Sequence, residues 1–315
     1  MNENLLIVTP SPHFRDRSST RSIMLDVIIA LMPALVVSIL VFGMRALILE
    51  LVCVVSCVFF EYIFRVVCHR PQTVGDLSAV VTGLLLAFNL PSGLPIWQAV
   101  FGCAAAILLA KQLFGGIGQN FANPAIVGRI VLLVAFGARM TTWPTANSYI
   151  SGLDAVSGAT PLALIKAGNL EALPPISNML LGIRGGSLGE TCAIALVIGG
   201  IYLIARKVIT PTIPVVYLLT VVVLSFAFGL DPVYQLLSGG VLLGAFFMAT
   251  DYVTSPTTEK GKVIFAFGCG LITMAVRAFG SYPEGCSFSI LLMNIVTPLI
   301  DKGCGTKPFG GVTKK

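Results

Sequence analysis

Charged residues are scarce in this chain. Asp, Glu, Lys and Arg together make up 11% of its 315 residues, whereas hydrophobic residues make up 56%. A water-soluble globular domain usually contains about 25% charged residues, so the composition excludes that class. Several apolar runs are long enough to cross about 30 Å of hydrocarbon. Because these runs are continuous rather than alternating, they predict helices and not an outer-membrane barrel.

Residues that commonly bind metal ions are also few or scattered. The sequence has two histidines and eight cysteines, and it contains no C-x-x-C spacing. Cys53 and Cys57 share one helix face, which permits a ligand pair, but small apolar thiols in helix packing are the favoured interpretation. We therefore expect no metal site. The net charge of +6 does not indicate nucleic-acid binding, because the bases cluster at helix ends.

The apolar runs predict an all-α polytopic membrane protein with about ten transmembrane helices. These cover roughly residues 23–43, 47–67, 76–90, 95–112, 123–138, 190–206, 212–229, 238–250, 262–279 and 285–300. The predicted organisation is an N-terminal membrane half (1–138), a long loop (139–189) and a C-terminal membrane half (190–315). Basic residues on alternate connections place both termini in the cytoplasm and the loop outside. We expect no cleaved signal peptide, because the basic N-terminal stretch lacks a small-residue cleavage site.

An internal repeat links the two halves. The segment Phe101–Lys111 is similar to Phe267–Arg277, and every position of the second copy lies 166 residues beyond its counterpart. Because the first copy is predicted to run outward to inward and the second inward to outward, the repeat predicts two inverted five-helix halves. Such halves place ligands at their interface, on broken helices. Chance similarity between membrane helices rich in Gly and Ala is the alternative.

Ionisable residues inside the predicted spans are few. They are Asp26, Glu50 and Glu61, with Glu190 at a boundary. Charges in hydrocarbon are costly and often functional. Each of these residues lies close enough to a helix end to extend its carboxylate to the membrane surface. We therefore expect them to snorkel and assign no ion path to them.

Three polar or glycine-rich segments are candidate ligand sites. The first runs from Gly115 to Ala125 and carries Asn120 and Asn123 near a helix start with Pro at its first turn. Glycines let a backbone approach a ligand closely, and such a helix start suits a phosphate or the polar edge of a flavin ring. A tight turn with an asparagine cap is the alternative.

The second segment, Gly182–Thr191, offers glycine amides with Arg184, Gly186 and Ser187 as groups that could hold a phosphodiester. Its alternative is a capping box formed by Ser187 and Glu190.

The third segment, Ala249–Thr258, places hydroxyl groups and Asp251 at a broken helix, where they could bind a small ligand or a cation. A polar turn is the alternative.

A short polar motif, Asp154-Ala-Val-Ser157-Gly158-Ala159-Thr160, lies in the long loop. It fits the pattern D-x-x-[ST]-G-A-T and resembles the recognition signal of flavin transferases. Together with the three segments above, in this order and over essentially the whole chain, it resembles the RnfD subunits of the Rnf complexes. These ion-translocating electron-transport assemblies are related to the Na⁺-pumping NADH:quinone reductase.

This resemblance implies FMN joined through its phosphate to the hydroxyl of Thr160. Asp154, Ser157, Gly158 and Ala159 would be the features that the flavin transferase recognises. The implied partners are other Rnf subunits, including a second FMN-bearing subunit, and lipids of a bacterial cytoplasmic membrane. A non-covalent riboflavin between the helix halves, near the cytoplasmic side, is also implied, without assigned contacts. Electron flow between ferredoxin and NAD would be coupled to transport of Na⁺ or H⁺, with the flavin as a relay.

A turn before a short helix that begins at Pro161 is the alternative interpretation of the Thr160 motif. The sequence has no recognisable nicotinamide or iron–sulfur site, so we do not expect the chain to be an enzyme on its own. The alternative function is an inverted-repeat solute channel or transporter without a redox role. Flavin attachment at Thr160 discriminates between the two functions, because a channel has no use for it.

Overall fold

A computed structural model describes residues 19–144, 146, 158–280 and 284–305. Within these residues every regular element is helical, apart from one isolated antiparallel bridge between Pro91 and Ser187. The predicted all-α class is therefore confirmed. Asp154 and Ser157 of the flavin motif lie outside the described residues.

The N-terminal part of the chain forms six helices within the described residues. They are α1 (Thr20–Phe42), α2 (Met44–Val67), α3 (Ser78–Phe88), α4 (Ile96–Ala104), α5 (Pro124–Ala135) and α6 (Gly137–Met140). A π-helix, Ala105–Gln112, continues α4 without a break. A short 3₁₀ turn, Val74–Asp76, precedes α3.

The described remainder of the chain forms eight more helices. They are α7 (Pro161–Lys166), α8 (Ile176–Leu181), α9 (Ala193–Ala205), α10 (Thr212–Ala227), α11 (Pro232–Leu237), α12 (Val241–Leu243), α13 (Glu259–Phe279) and α14 (Cys286–Cys304). A second π-helix, Gly244–Met248, continues α12. A 3₁₀ turn, Leu170–Ala172, lies between α7 and α8.

Local sequence signals account for several of these helix starts. Ser19 and Ser22 form a reciprocal capping box at the start of α1. Asn123 accepts hydrogen bonds from the first N–H groups of α5, which begins with a proline. Gly43 separates α1 from α2 with a φ of 74°, a conformation that suits a residue without a Cβ.

Each predicted span overlaps helical residues, but residues 123–138 overlap two helices, α5 and α6, and residues 238–250 contain only α12 and the second π-helix. The sixth predicted helix starts at residue 190, whereas the observed helix begins at Ala193, because Cys192 is still extended. The short helix α11 was not predicted. It begins with Asp231 as a side-chain cap and with Pro232 at its first position, a start signal that precedes too few apolar residues to predict a span.

The helices differ in whether they could cross a membrane unaided. Among the described helices, α1, α2 and α13 are long and apolar enough to do so. Helix α3 has 11 residues, which at 1.5 Å per residue reach only about 16 Å, roughly half of the hydrocarbon layer. Helix α3 is therefore too short to cross the hydrocarbon layer by itself. Such a broken helix is of the kind that the repeat predicted.

Packing brings the early and late helices together. Helix α1 packs against α9, and α5 packs against α14. Helix α2 packs closely on α3, where a Cβ on Gly83 would lie 2.7 Å from the Cα of Val54. Outward-facing apolar residues such as Val55 and Phe226 are 64% and 69% exposed, as a lipid-facing surface requires. The described part of the chain is therefore a multi-pass membrane protein.

The expectation that the acidic residues snorkel is wrong for three of them, and one of these is Glu190, which is 3% exposed. Glu50 and Glu61 are 2% and 0% exposed. Glu50 accepts a hydrogen bond from the hydroxyl of Ser38, and Glu61 pairs with Lys111 across 2.7 Å. Each carboxyl group therefore finds a partner inside the protein, which a single helix cannot reveal. Asp26 on α1 pairs with Arg206.

The two copies of the predicted repeat both lie in helices. The first copy passes from α4 into the π-helix, whereas the second lies wholly within α13. Their final residues, Lys111 and Arg277, are both buried. Lys111 donates to Glu61, and Arg277 donates to the backbone carbonyls of Gln235 and Ser238. Equivalent sequence positions thus hold buried cations, with different kinds of acceptor.

Candidate functional site

The segment that ends at Thr160 forms one wall of a cavity of about 220 Å³. Gly158, Ala159 and Thr160 line this cavity together with residues of α5 and the first turn of α14. The N–H of Gly158 donates to the carbonyl of Trp143 over 2.9 Å, which fixes the segment beside the end of α6. The structure therefore brings three of the predicted flavin residues to one cavity. We call it the Thr160 cavity.

Thr160 itself is 5% exposed and has a local structural role. Its Oγ1 accepts a hydrogen bond from the N–H of Ala163 at 3.3 Å, and Pro161 occupies the first position of α7. The alternative interpretation, a turn before a short helix, is therefore present. It does not compete with a ligand role, because Thr160 also lines the cavity.

Arg129 and Glu284 line the same cavity, and the sequence patterns predict a role for neither. Arg129 Nη1 donates to Oδ1 of Asn89 over 2.6 Å, and Nη2 pairs with the carboxylate of Glu284. Their side chains are 8% and 16% exposed. The sequence does hold a signal for Arg129, because it is a single charge within the apolar helix Pro124–Ala135.

Further charged groups gather around two adjacent glycines, Gly239 and Gly240. A Cβ built on Gly240 would lie 3.0 Å from Glu190 Oε2 and 3.5 Å from Arg129 Nη1. A Cβ built on Gly239 would lie 3.1 Å from Arg277 Nη2. The glycines thus leave space in which the charged groups approach each other.

Glu190 lies in the loop before α9 and is 3% exposed. Burial, followed by the nearby carboxylate of Glu284, raises the pKa of Glu190 to about 7, although Arg129 and Arg184 oppose this shift. Its Oε1 accepts the N–H of Ser187 at 3.3 Å, while Oε2 is buried and has no hydrogen-bond partner among the described residues. Burial therefore favours the protonated form of Glu190.

Arg184 holds the backbone of its own loop. It donates from Nη2 to the carbonyl of Glu190 at 2.9 Å and from Nε to the carbonyl of Thr191 at 3.2 Å. The side chain is buried, and it does not belong to the described lining of the Thr160 cavity. These two bonds tie the start of the loop to its last residues before α9.

Gly186 and Ser187 also lie behind the cavity wall rather than on it. Ser187 does not cap α9, because that helix begins six residues later at Ala193. Half of the expected capping box is nevertheless present, since Glu190 accepts the N–H of Ser187. The loop approaches the flavin motif through Gly185, on which a Cβ would lie 3.9 Å from the carbonyl oxygen of Gly158.

Asn120 and Asn123 line a second cavity, of about 360 Å³, which we call the Asn120 cavity. The Oδ1 of Asn123 accepts the N–H groups of Ala125 and Ile126, as the alternative asparagine cap predicts. In contrast, Oδ1 of Asn120 is buried and has no hydrogen-bond partner among the described residues. Asn120 therefore retains an unused acceptor, as a ligand-binding amide would.

The predicted third segment contributes to the Asn120 cavity as well. Asp251 lines it and accepts from the hydroxyl of Thr254 at 3.3 Å. Burial raises the pKa of Asp251. Lys111 lines the same cavity and bonds to Ser78 Oγ at 2.6 Å. This cavity therefore combines an apolar wall with a few placed polar groups, which is typical of a small-molecule site.

The two cavities lie at different levels along α5. Asn123 and Pro124, at its start, line the Asn120 cavity, whereas Arg129 and Leu133 line the Thr160 cavity. The ten residues from Pro124 to Leu133 span about 14 Å of helix. The predicted flavin-binding residues therefore do not form one site.

The cysteines that share a face of α2 are packed in the core. Cys53, Cys57 and Cys103 are each 0% exposed, and the thiol of Cys103 donates to the carbonyl of Cys53 at 3.5 Å. Their contacts are those of small apolar side chains in helix packing.

Comparisons with known proteins extend over nearly the whole chain. The model of the NQR2, RnfD, RnfE family matches residues 7–310. The chain is 51% identical to the D subunit of the Na⁺-translocating ferredoxin:NAD⁺ oxidoreductase complex of Acetobacterium woodii, with 100% of this chain and 98% of that protein aligned.

Two further relatives have similar names. The chain is 44% identical to the D subunit of the proton-translocating ferredoxin:NAD⁺ oxidoreductase complex of Clostridium ljungdahlii, over 98% of each protein. It is 40% identical to the D subunit of an ion-translocating oxidoreductase complex of Stutzerimonas stutzeri, over 93% of each protein. All three comparisons favour a redox role over a solute channel.

Proposed function

This chain belongs to the NQR2, RnfD, RnfE family, and on that premise we propose that it is the D subunit of an ion-translocating ferredoxin:NAD⁺ oxidoreductase complex. The observation that carries this function is the 51% identity over 100% of the chain to a subunit with that name. In such a complex the chain relays electrons, and transport of Na⁺ or H⁺ is coupled to their flow. Its partners are the other Rnf subunits, including a second FMN-bearing subunit.

The redox group of this subunit is FMN, attached covalently to Thr160. The hydroxyl oxygen of Thr160 attacks the FMN phosphorus of FAD, so that a threonyl phosphodiester forms, AMP leaves and the hydroxyl proton is released. A flavin transferase catalyses this exchange. The flavin ring supplies the redox chemistry, whereas the protein supplies its position and electrostatic surroundings.

Three properties of the Thr160 cavity suit this attachment. Thr160 lines the cavity, the two residues before it are small, and the buried residue Arg129 lines the same space. The cavity volume of about 220 Å³ is below the roughly 300 Å³ at which pockets for drug-sized ligands begin. The described walls would therefore hold the phosphate end of FMN and not the whole flavin.

The Asn120 cavity is the site that best suits a non-covalent riboflavin. It has a volume of about 360 Å³, lies between α1, α3, α5 and α9, and is lined by Asn120, whose carboxamide oxygen has no hydrogen-bond partner among the described residues. An N–H donor on the polar edge of an isoalloxazine ring would satisfy that oxygen. The apolar side chains of Leu85 and Phe246 offer surface for the ring itself.

The membrane topology of this proposal is that of two inverted five-helix halves in a bacterial cytoplasmic membrane. Both termini are cytoplasmic and the Thr160 loop is extracytoplasmic. The contact between α1 and α9 and the buried cations at equivalent repeat positions, Lys111 and Arg277, support two related halves. Electrons would therefore pass outward to the flavin on Thr160 and return.

Intact mass and in-gel ultraviolet fluorescence test the flavin attachment. The chain is produced with and without a flavin transferase, as wild type and as Thr160→Ala. We expect the mass of one FMN and a fluorescent band only for the wild type made with the transferase. Thr141→Ala is the matched control, because Thr141 has the same hydroxyl and lines the same cavity. A fluorescent Thr160→Ala band would refute the site, and an unmodified wild type would favour a channel.

A further inference from the structure

Arg129 is a buried cation whose position is not explained by helix packing alone. It lies on α5, it is 6% exposed, and it lines the Thr160 cavity together with its partner Glu284. An arginine has five N–H donors in a planar fork that matches the oxygens of a phosphate. Within the described residues, two of these donors have hydrogen-bond partners, one on Asn89 and one on Glu284. Donors therefore remain for an anion in the cavity.

The positive charges around the cavity also outnumber the negative charges. Three guanidinium groups, those of Arg129, Arg184 and Arg277, each interact electrostatically with the same two carboxyl groups, those of Glu190 and Glu284. The positive charges exceed the negative charges by one when both carboxyl groups are ionised. The excess is two when Glu190 holds a proton. Buried charges are costly unless they are compensated, so this cluster favours one further anion.

Of the three arginines, only Arg129 is placed to bind this anion, because the other two are held by bonds elsewhere in the described residues. Arg184 and Arg277 bond to backbone carbonyl oxygens, and neither belongs to the described lining of the Thr160 cavity. Arg129 belongs to that lining, as Thr160 does. A phosphodiester on Thr160 carries a single negative charge, which matches the excess.

We infer that Arg129 binds the phosphodiester that joins FMN to Thr160 and so positions the attached flavin. Glu284 competes with that phosphodiester for the same guanidinium group, and Asn89 holds the guanidinium toward the cavity. This role rests on the proposed attachment of FMN to Thr160. Arg129 is a positioning residue, since it touches the linkage and not the ring that carries electrons.

Two properties of the attached flavin test this role, and neither depends on electron transfer. The chain is made with a flavin transferase and purified in detergent, and intact mass gives its FMN content. Fluorescence anisotropy then reports the mobility of the flavin, and a phosphodiesterase reports how often the linkage is exposed. Arg129→Gln should lower the anisotropy. It should also speed flavin release at least about tenfold, because a hydrogen bond to a charged group is lost.

Three further variants give the expected order of effects. Arg129→Lys keeps the positive charge but lacks the planar set of N–H donors of a guanidinium group. It should therefore release flavin at an intermediate rate. Glu284→Gln removes the competing carboxylate and should release flavin no faster than wild type. Lys166→Gln is the matched control, because Lys166 ends α7 only six residues after Thr160 but does not line the cavity. It should behave as wild type.

The double variant Arg129→Gln/Glu284→Gln covers the case in which Arg129→Gln does not fold. It leaves no lone carboxylate in the cavity, yet it should release flavin as fast as Arg129→Gln. Wild-type release rates in a fully loaded double variant would overturn the role of Arg129 and leave the attachment intact. A wild type without FMN mass would overturn both, so the two failures are distinguishable.

Discussion

Lys111 on the π-helix that continues α4 donates to Glu61 on α2 over 2.7 Å, and their side chains are 2% and 0% exposed. Lys111 also bonds to the hydroxyl of Ser78, and Glu61 accepts from Thr73 at 2.7 Å. The pair thus has the additional hydrogen bonds that a buried ion pair needs to offset desolvation. The two residues are 50 positions apart in the sequence, so the pair joins two helices that are distant along the chain.

Breaking this pair from one side should destabilise the protein. Lys111→Met leaves the Glu61 carboxylate buried without its cation, which costs about 3–5 kcal/mol. The double variant Lys111→Met/Glu61→Leu should recover most of that loss. Thermal unfolding in detergent measures both. Lys262→Met, which breaks the more exposed pair with Glu259, should cost less than about 1 kcal/mol. A double variant no more stable than Lys111→Met would contradict this account.

Substitutions of Thr160 should separate its capping role from flavin attachment. Thr160→Ser keeps both the cap and an attachable hydroxyl. Thr160→Asp keeps a capping oxygen for the N–H of Ala163 but offers no hydroxyl, so it should fold normally and lack FMN. Thr160→Val should lose both and cost about 1 kcal/mol of stability. Intact mass and thermal midpoints measure the two effects, and FMN mass on the aspartate variant would exclude a phosphoester at this position.

The raised pKa of Glu190 predicts a pH-dependent stability. The folded protein holds the proton up to about pH 7, whereas the unfolded chain releases it near 4.5, the ordinary pKa of a glutamate. Stability should therefore be highest below pH 4.5 and fall as pH rises toward 7, by an amount on the order of 3 kcal/mol. Glu190→Gln should flatten this part of the pH profile of the thermal midpoint. The exposed Glu171→Gln should leave the profile as in wild type, and equal slopes in all three proteins would argue against a buried titrating Glu190.

Close packing between α2 and α3 depends on Gly83. An added Cβ would lie 2.7 Å from the Cα of Val54 and 2.9 Å from the carbonyl oxygen of Cys53, both of which are backbone atoms. Gly83→Ala should therefore cost about 1–3 kcal/mol, despite the better helix propensity of alanine. Gly303→Ala on α14 is the control, because no heavy atom lies within 4 Å of its added Cβ. Equal thermal midpoints for the two variants would contradict the prediction, because they would mean that α2 and α3 move apart at little cost.

Cys68 offers a test of the proposed topology. It is the exposed cysteine directly after α2, on the predicted cytoplasmic side. A membrane-impermeant maleimide should modify it in inside-out vesicles and not in right-side-out vesicles. Ala159→Cys, in a chain with Cys68 and Cys304 changed to serine, should show the opposite pattern. The buried Cys57 should remain unmodified in both, and modification of Cys68 in right-side-out vesicles would reverse the topology.

The sequence alone predicted the helices well, because continuous apolar runs and local caps are properties of neighbouring residues. Asn123 with Pro124, for example, marks the start of α5 whatever it packs against. The flavin motif at Thr160 is likewise contiguous. Start signals such as Asp231-Pro232 were present but came before too short a helix to indicate a membrane span.

Tertiary structure decided how these groups are combined. It placed Arg129 and Glu284, 155 residues apart, at one cavity beside Thr160. It also placed Asn120 in a different cavity, near the opposite end of α5. The physical reason is that a buried charge is stable only beside a partner, and that partner comes from whichever helix packs against it. Sequence determined which segments are helices and which threonine carries the motif, while packing between distant helices decided which charges surround it.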